Sequence, residues 1–344
     1  MKYTTFGRRT GLRVSELALG TARFGHGPTS AGLEESRRIL DTFTDAGGTT
    51  IDTADHYQNG ESESVLGELL GGRRDDVVLM TKFSASAGPQ PVQGGSGNSR
   101  RTVVRAVENS LRRLRTDHVE VLFAHFPDGV TPLAEILAAF EDLVRAGKVL
   151  HGGLSNFPAW RVAGGVTAAE LRGQTPLVGI EVEYHLADRS AERDLLPMAE
   201  AHGLGIATYS PLAGGLLTGK YRTGGTGRLT GAETDPHREA VLDRVLSIAQ
   251  RSGLTAPQVA LTWLRHRAAT SPTALVPIVG PATEGHLRDY LTAFGSTLAP
   301  EFAAELDEST GVDPGIPHRS VAAALAAGLD GDRAQLRAPL VPVV

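Results

Sequence analysis

The fold is decided by residues 49–82, where Thr49-Thr50-Ile51-Asp52-Thr53 and Val77-Val78-Leu79-Met80-Thr81-Lys82 frame a helical stretch at Ser62–Leu70. Each flanking run is short, rich in apolar or β-branched residues and bounded by turn formers, which reads as a strand. The runs are mostly apolar, as expected when helices cover both faces of a parallel sheet. Outward from this unit the pattern repeats. Further strands are expected at Glu16–Gly20, Val119–His125, Leu150–Ser155, Gly179–Tyr184, Gly205–Ser210 and Ala274–Gly280. Helical spacing marks Glu34–Ala46, Arg101–Leu114, Pro132–Ala146, Ala159–Leu171, Arg189–His202, Arg238–Ser252 and Ala256–Arg267. Eight strands alternating with helices predict an α/β fold closed into a (β/α)8 TIM barrel. Ahead of them, Lys2–Phe6 and Leu12–Ser15 read as a β-hairpin able to cap the bottom of the barrel. The expected organisation is one domain over residues 1–344: hairpin 2–15, barrel 16–310 and tail 311–344, with an Ala-rich turn at Ser320–Gly328. Two loops, Ser84–Ser99 and Arg222–His237, follow the third and seventh strands and are expected on the C-terminal rim.

Composition narrows the class. With 41% hydrophobic and 21% charged residues and a mean hydropathy of -0.11, the 344-residue chain can bury a large core. A net charge of -5, with no basic run interleaved with aromatics, argues against nucleic acid as a partner. The absence of cysteine excludes disulfides, thiolate catalysis, Fe–S clusters and cysteine-ligated zinc, and no metal site is expected. No apolar run reaches the length of a membrane span, so a cytoplasmic protein without membrane partners is expected; self-association is left open. Only four of the 34 basic residues are lysines (Lys2, Lys82, Lys148, Lys220). Lys82 and Lys220 therefore mark places where a compact ammonium is wanted rather than a guanidinium.

In a parallel barrel all strand C-termini meet on one rim, so Asp52, Lys82 and His125, each at a strand end, and Tyr57 just beyond, converge there. Together they suit hydride reduction of a carbonyl. Tyr57 is the expected proton donor to the developing alkoxide, and Lys82 the ammonium that brings its pKa down for use in both directions. Asp52 holds the ammonium, and His125 aligns the substrate oxygen. Two other readings use the same residues: a Schiff-base lyase built on Lys82, and a nicotinamide-binding regulatory or redox-sensing subunit.

At these positions the chain resembles the aldo-keto reductase family, from Tyr3 to about Ser309. The string Gly47-Gly48-Thr49-Thr50-Ile51-Asp52-Thr53-Ala54-Asp55-His56-Tyr57 is similar to the family's aspartate–tyrosine block, Val78–Lys82 to its lysine strand and Leu122–His125 to its histidine strand. Gly97–Arg100, Arg112–Asp117 and Asn156–Trp160 look most like the aryl-alcohol-dehydrogenase-like branch. The resemblance implies a carbonyl or alcohol substrate and NADP(H), with NAD(H) as the alternative. It also implies that Ser155, Asn156 and Glu181 meet the nicotinamide carboxamide and that Tyr209 stacks on the ring. Gly20 and Thr21 would line the same pocket. Ser210, Pro211, Leu212, Lys220 and Arg228 would follow the pyrophosphate, and Gly280, Ala282, His286, Asp289 and Tyr290 the adenosine end. Phe24, Phe83 and Phe126 are candidates for an aromatic substrate wall.

The departures are specific. Relatives usually carry Arg or Ser at Ala282, Gln at His286 and Asn at Tyr290, so grip on a 2′-phosphate would fall here to His286, Arg288 or a loop arginine. Glu181 replaces a usual Gln; if ionised it would favour the oxidised, cationic ring. Gly214–Tyr221 fits G-x-x-x-x-G-K but offers Tyr221 where a P-loop needs Ser or Thr, which disfavours nucleotide hydrolysis.

Overall fold

A computed structural model describes residues 1–88, 94–231, 235–321 and 324. The hairpin pairs β1 (Tyr3–Thr5) with β2 (Arg13–Ser15), antiparallel, with Thr4 opposite Val14. Eight parallel strands then close into a barrel: β3 (Ala18–Gly20), β4 (Thr50–Asp52), β5 (Val78–Phe83), β6 (Val119–Ala124), β7 (Val149–Ser155), β8 (Leu177–Glu183), β9 (Gly205–Tyr209) and β10 (Leu275–Val279). Each pairs with the next, and β10 returns to β3. The (β/α)8 expectation holds.

Around the barrel run α1 (Leu33–Asp45), α2 (Glu61–Leu70), α3 (Arg100–Leu114), α4 (Leu133–Arg145), α5 (Ala159–Leu171), α6 (Leu195–His202), α7 (Pro236–Ser252), α8 (Ala256–Thr270), α9 (Glu284–Gly295) and α10 (Pro300–Thr310). Four of their starts carry a side-chain cap, at α3, α7, α8 and α9. Ser99 accepts the Thr102 N–H ahead of α3, and Thr255 and Gln258 form a reciprocal capping box on α8. Two differences from the sequence reading stand out. The expected helix Arg189–His202 is a 3-10 turn at Ser190–Arg193 followed by an α-helix only from Leu195, because Pro197 lacks an N–H and fits only a first turn. The segment from Gly280 to Tyr290 is half loop and half helix, since Thr283 caps α9 by accepting the His286 N–H. Most of the Ala-rich turn Ser320–Gly328 lies outside the described residues.

The core has two layers. Between strands and helices lies the larger cluster, including Phe43, Leu79, Phe140, Ile180 and Trp263. Inside the barrel, Phe6, Met80, Val121, Phe123, Ala207, Val276 and Ile278 pack together. Phe6 comes from the hairpin and meets Phe123 edge-on at 6.5 Å. It can do so because Gly179 and Gly205 carry no side chain; a Cβ at either would lie 2.4 or 2.6 Å from the Phe6 ring. Arg8 and Arg9 fasten the same end by donating to the carbonyls of Glu200 and His202. The floor is thus sealed, and the open end is the rim of strand C-termini. No helix among the described residues is long and apolar enough to cross a membrane.

Candidate active site

Strand alternation aims the reactive groups. Met80, Phe123 and Ala207 fill the barrel interior, so Lys82, His125 and Tyr209, two residues further on, point to the same axis at the rim. Lys82 is fully buried. Its Nζ donates to both Asp52 carboxylate oxygens at 2.7 and 2.6 Å and to the Thr53 carbonyl at 2.9 Å. It also stands 3.4 Å from the Tyr57 hydroxyl and 3.3 Å from Glu181 Oε1. Asp52, Tyr57, Lys82 and His125 are therefore gathered at one place, as the spacing predicts.

The electrostatics assign protonation states. Burial by itself lowers the Lys82 pKa, but Asp52, Glu181 and Tyr57 more than reverse this and raise it. A protonated nitrogen has no lone pair with which to attack a carbonyl carbon, which counts against the Schiff-base reading. Tyr57 does not follow the expected direction. Burial pushes its phenol up to about 12, and Lys82 only partly offsets this against Asp52 and Glu181. The ammonium donates to the phenol oxygen, so the phenol's own hydrogen is left for another acceptor. His125 is held neutral, its pKa lowered to about 2 by burial and then by Lys82 and His56. Its Nδ1 is buried without a partner, and its ring lies 6.2 Å from Tyr57 and 5.0 Å from His56.

The surrounding rim is strained. Gln58, Ser84, Asn156, Ser210 and Ala213 all adopt positive φ although none is glycine. Asn156 links the strand ends: its Nδ2 donates to the His125 carbonyl at 3.0 Å, and its Oδ1 accepts from the Tyr209 hydroxyl at 2.9 Å. Buried Asn98 fixes the His125 turn by donating to the Phe126 carbonyl at 2.9 Å, with its own N–H held by Asp128.

From this centre a cleft of about 710 Å³ runs across the rim. Of the residues expected to contact a cofactor, Gly20, Asn156, Glu181, Tyr209, Ser210, Pro211, Leu212, Lys220, Arg228, Gly280, Ala282, His286, Asp289 and Tyr290 line it. Thr21 and Ser155 do not. The Thr21 hydroxyl bonds to the Asp52 carbonyl and Ser62, and the Ser155 hydroxyl accepts from Asn156, so both brace wall residues from behind. The aromatic wall is largely a misreading. Phe24 belongs to the outer core and Phe83 packs against Phe140 in the same layer, leaving Phe126, exposed and 5.5 Å from His125, as the one of the three beside the catalytic cluster. Sequence reasoning missed Ala22, Arg23, Thr218, Pro257, Ile278 and Val279, which also line the cleft. Arg23 makes no ion pair among the described residues, and its Nε is buried without a partner. Its place three residues past a strand end was the available signal.

The cleft fits a dinucleotide. At Gly214 and Gly215 the backbone takes φ of 66° and 93°, leaving bare peptide beside Lys220, a cradle suited to phosphate. Lys220 has no carboxylate partner among the described residues. At the far end His286 and Tyr290 stack at 6.4 Å. Asp289 is occupied in tying α9 to α8, accepting from Gln258 at 2.7 Å. Arg288 is paired to Glu284.

A barrel sealed at its floor, with an aspartate, tyrosine, lysine and histidine at the head of a cleft across its open rim, defines a class of oxidoreductase. The chain belongs to the aldo/keto reductase family, whose model matches residues 16–310. It is 33% identical over 317 residues to norsolorinic acid reductase of Aspergillus flavus, covering 89% of this chain and 80% of that one. It is 38% identical to an uncharacterized oxidoreductase of Bacillus subtilis (90% and 95% covered) and 32% identical to an aryl-alcohol dehydrogenase of Pestalotiopsis microspora (90% and 82%).

Proposed function

We propose that the protein is a nicotinamide-dependent carbonyl reductase, or alcohol dehydrogenase in reverse, in which Tyr57 gives its proton to the substrate oxygen. The observation that carries this reading is the Lys82 ammonium donating to the Tyr57 hydroxyl while anchored on Asp52. A bound nicotinamide supplies or accepts the hydride. Tyr57 remains protonated at neutral pH and is the local acid; Lys82 stabilises the phenolate once the proton has left. His125, neutral, offers an N–H to the same oxygen and orients it. Asn156 and Tyr209 fix the wall against which the ring is placed, and Lys220 meets the diphosphate.

The aryl-alcohol dehydrogenase among the relatives points to aryl alcohols and the corresponding aldehydes as the substrate class. NADP(H) follows from the family. With Arg288 already held by Glu284, its advantage over NAD(H) is expected to stay within about tenfold, about 1.4 kcal/mol. The test is Tyr57→Phe assayed with 4-nitrobenzaldehyde and NADPH. Turnover should fall by about 10²–10⁴-fold while NADPH binding, followed by fluorescence, persists. Retained turnover would remove Tyr57 as the donor; binding without turnover in the unaltered protein would favour the sensor reading.

A further inference from the structure

Glu181 lies in register between Ser155 of β7 and Ala207 of β9 and is 1% exposed. Its Oε1 reaches Lys82 Nζ only at 3.3 Å, because Asp52 already takes the two short contacts. Its Oε2 is buried with no hydrogen-bond partner, and the residue lines the cleft. One ammonium therefore faces two carboxylates. A buried carboxylate oxygen left bare is costly, and the cost is relieved in one of two ways: a proton on the oxygen, or a positive ligand beside it.

We propose that Glu181 is a proton-exchanging contact for the nicotinamide ring, holding a proton opposite the neutral reduced ring and releasing it to solvent opposite the cationic oxidised ring. This rests on the dinucleotide reading of the cleft. The ring is positive only when oxidised, so a change of redox state alters the charge facing Oε2 by one unit, while the phosphates stay as they are. A glutamine at this position has no proton to exchange. The groups around Glu181 are Asp52 on β4, Tyr57 in the turn after it, Lys82 on β5 and Tyr209 on β9. Among them Asp52 opposes ionisation of Glu181 and Lys82 favours it; burial is the largest effect, and the carboxyl is pushed up to about 8. The proton exchange thus falls near neutral pH. The site prefers the reduced cofactor on the acid side and the oxidised cofactor on the alkaline side.

The experiment is calorimetric or fluorescence titration of the full chain with NADP⁺ and NADPH, and in parallel NAD⁺ and NADH, from about pH 6.5 to about pH 9.5. Linkage to one proton limits the change in the oxidised-to-reduced affinity ratio to about tenfold per pH unit, and a total rise of about tenfold or more is expected. Phosphate ionisation is common to both forms and cancels in the ratio. In Glu181→Gln the ratio should be level within about twofold across the range. If that variant does not fold, calorimetry on the unaltered protein in two buffers of different ionisation heat gives the proton count directly. NADP⁺ should release more protons than NADPH. A flat ratio with intact binding, equal proton counts, or the same slope in Glu181→Gln would overturn the role of Glu181 and leave the dinucleotide reading standing. Failure of all four nucleotides to bind would overturn both.

Discussion

Replacing Lys82 with methionine removes the one cation that two buried carboxylates share, while keeping most of the side chain's volume. Breaking a buried pair from one side costs about 3–5 kcal/mol. In a chain of this size each kcal/mol lowers Tm by about 2 °C, giving an expected loss of about 6–10 °C. The loss is pH-dependent, and its sign follows from the carboxyls. Burial already raises the pKa of Asp52 and Glu181 in the native protein, the latter to about 8, and without Lys82 both rise further. A carboxyl raised on folding contributes stability that is full below its unfolded pKa of about 4 and is lost as pH rises through the folded value. The variant should accordingly be close to the unaltered protein near pH 5 and furthest from it near pH 8.5. Scanning fluorimetry without cofactor on the native chain, Lys82→Met and Lys82→Met/Glu181→Gln checks this; the double variant should regain part of the alkaline loss. A decrement that is equal at both pH values, with no recovery in the double variant, would refute the shared-charge argument.

His125 is buried neutral with its pKa lowered to about 2, so below about pH 6.5 the unfolded chain takes a proton that the folded one refuses. His125→Asn should therefore flatten the acid limb of the stability curve by about 2 kcal/mol at pH 5, read from urea melts; an unchanged acid limb would contradict the neutral imidazole. At the barrel floor, Gly205→Val would force atoms into the Phe6 ring, 2.6 Å from where a Cβ begins. A loss of about 1–3 kcal/mol is expected in denaturant melts, relieved by adding Phe6→Leu, whereas an additive double variant would show that the two positions do not meet.

The barrel was legible because parallel strands covered on both faces leave short apolar runs, and all eight lie within two residues of where those runs predict them. The same coverage hides which way a strand-end side chain faces. Phe83 follows Lys82 and so points to the outer layer, and Ser155 precedes Asn156 and lies behind it; periodicity in an all-apolar strand does not reveal this phase. Burial was likewise invisible in the sequence. The pairing of Tyr57 with Lys82 suggested a lowered phenol pKa, and only the depth of the pair and the presence of two carboxylates reverse the sign. Thr283 was the missed clue to α9, since a threonine three residues before a donor N–H is a cap signal.

The hairpin ring beneath the barrel has a consequence for how the molecule is assembled. Phe6 is made well before the glycines that accept it, Gly179 and Gly205, so the floor closes only through contacts of very high sequence separation. Until then the half-built barrel lacks its plug, and the N-terminal segment waits with an uncovered aromatic ring. A chain lacking the residues up to Phe6 would finish synthesis with all eight barrel strands in hand and a hole where the ring belongs.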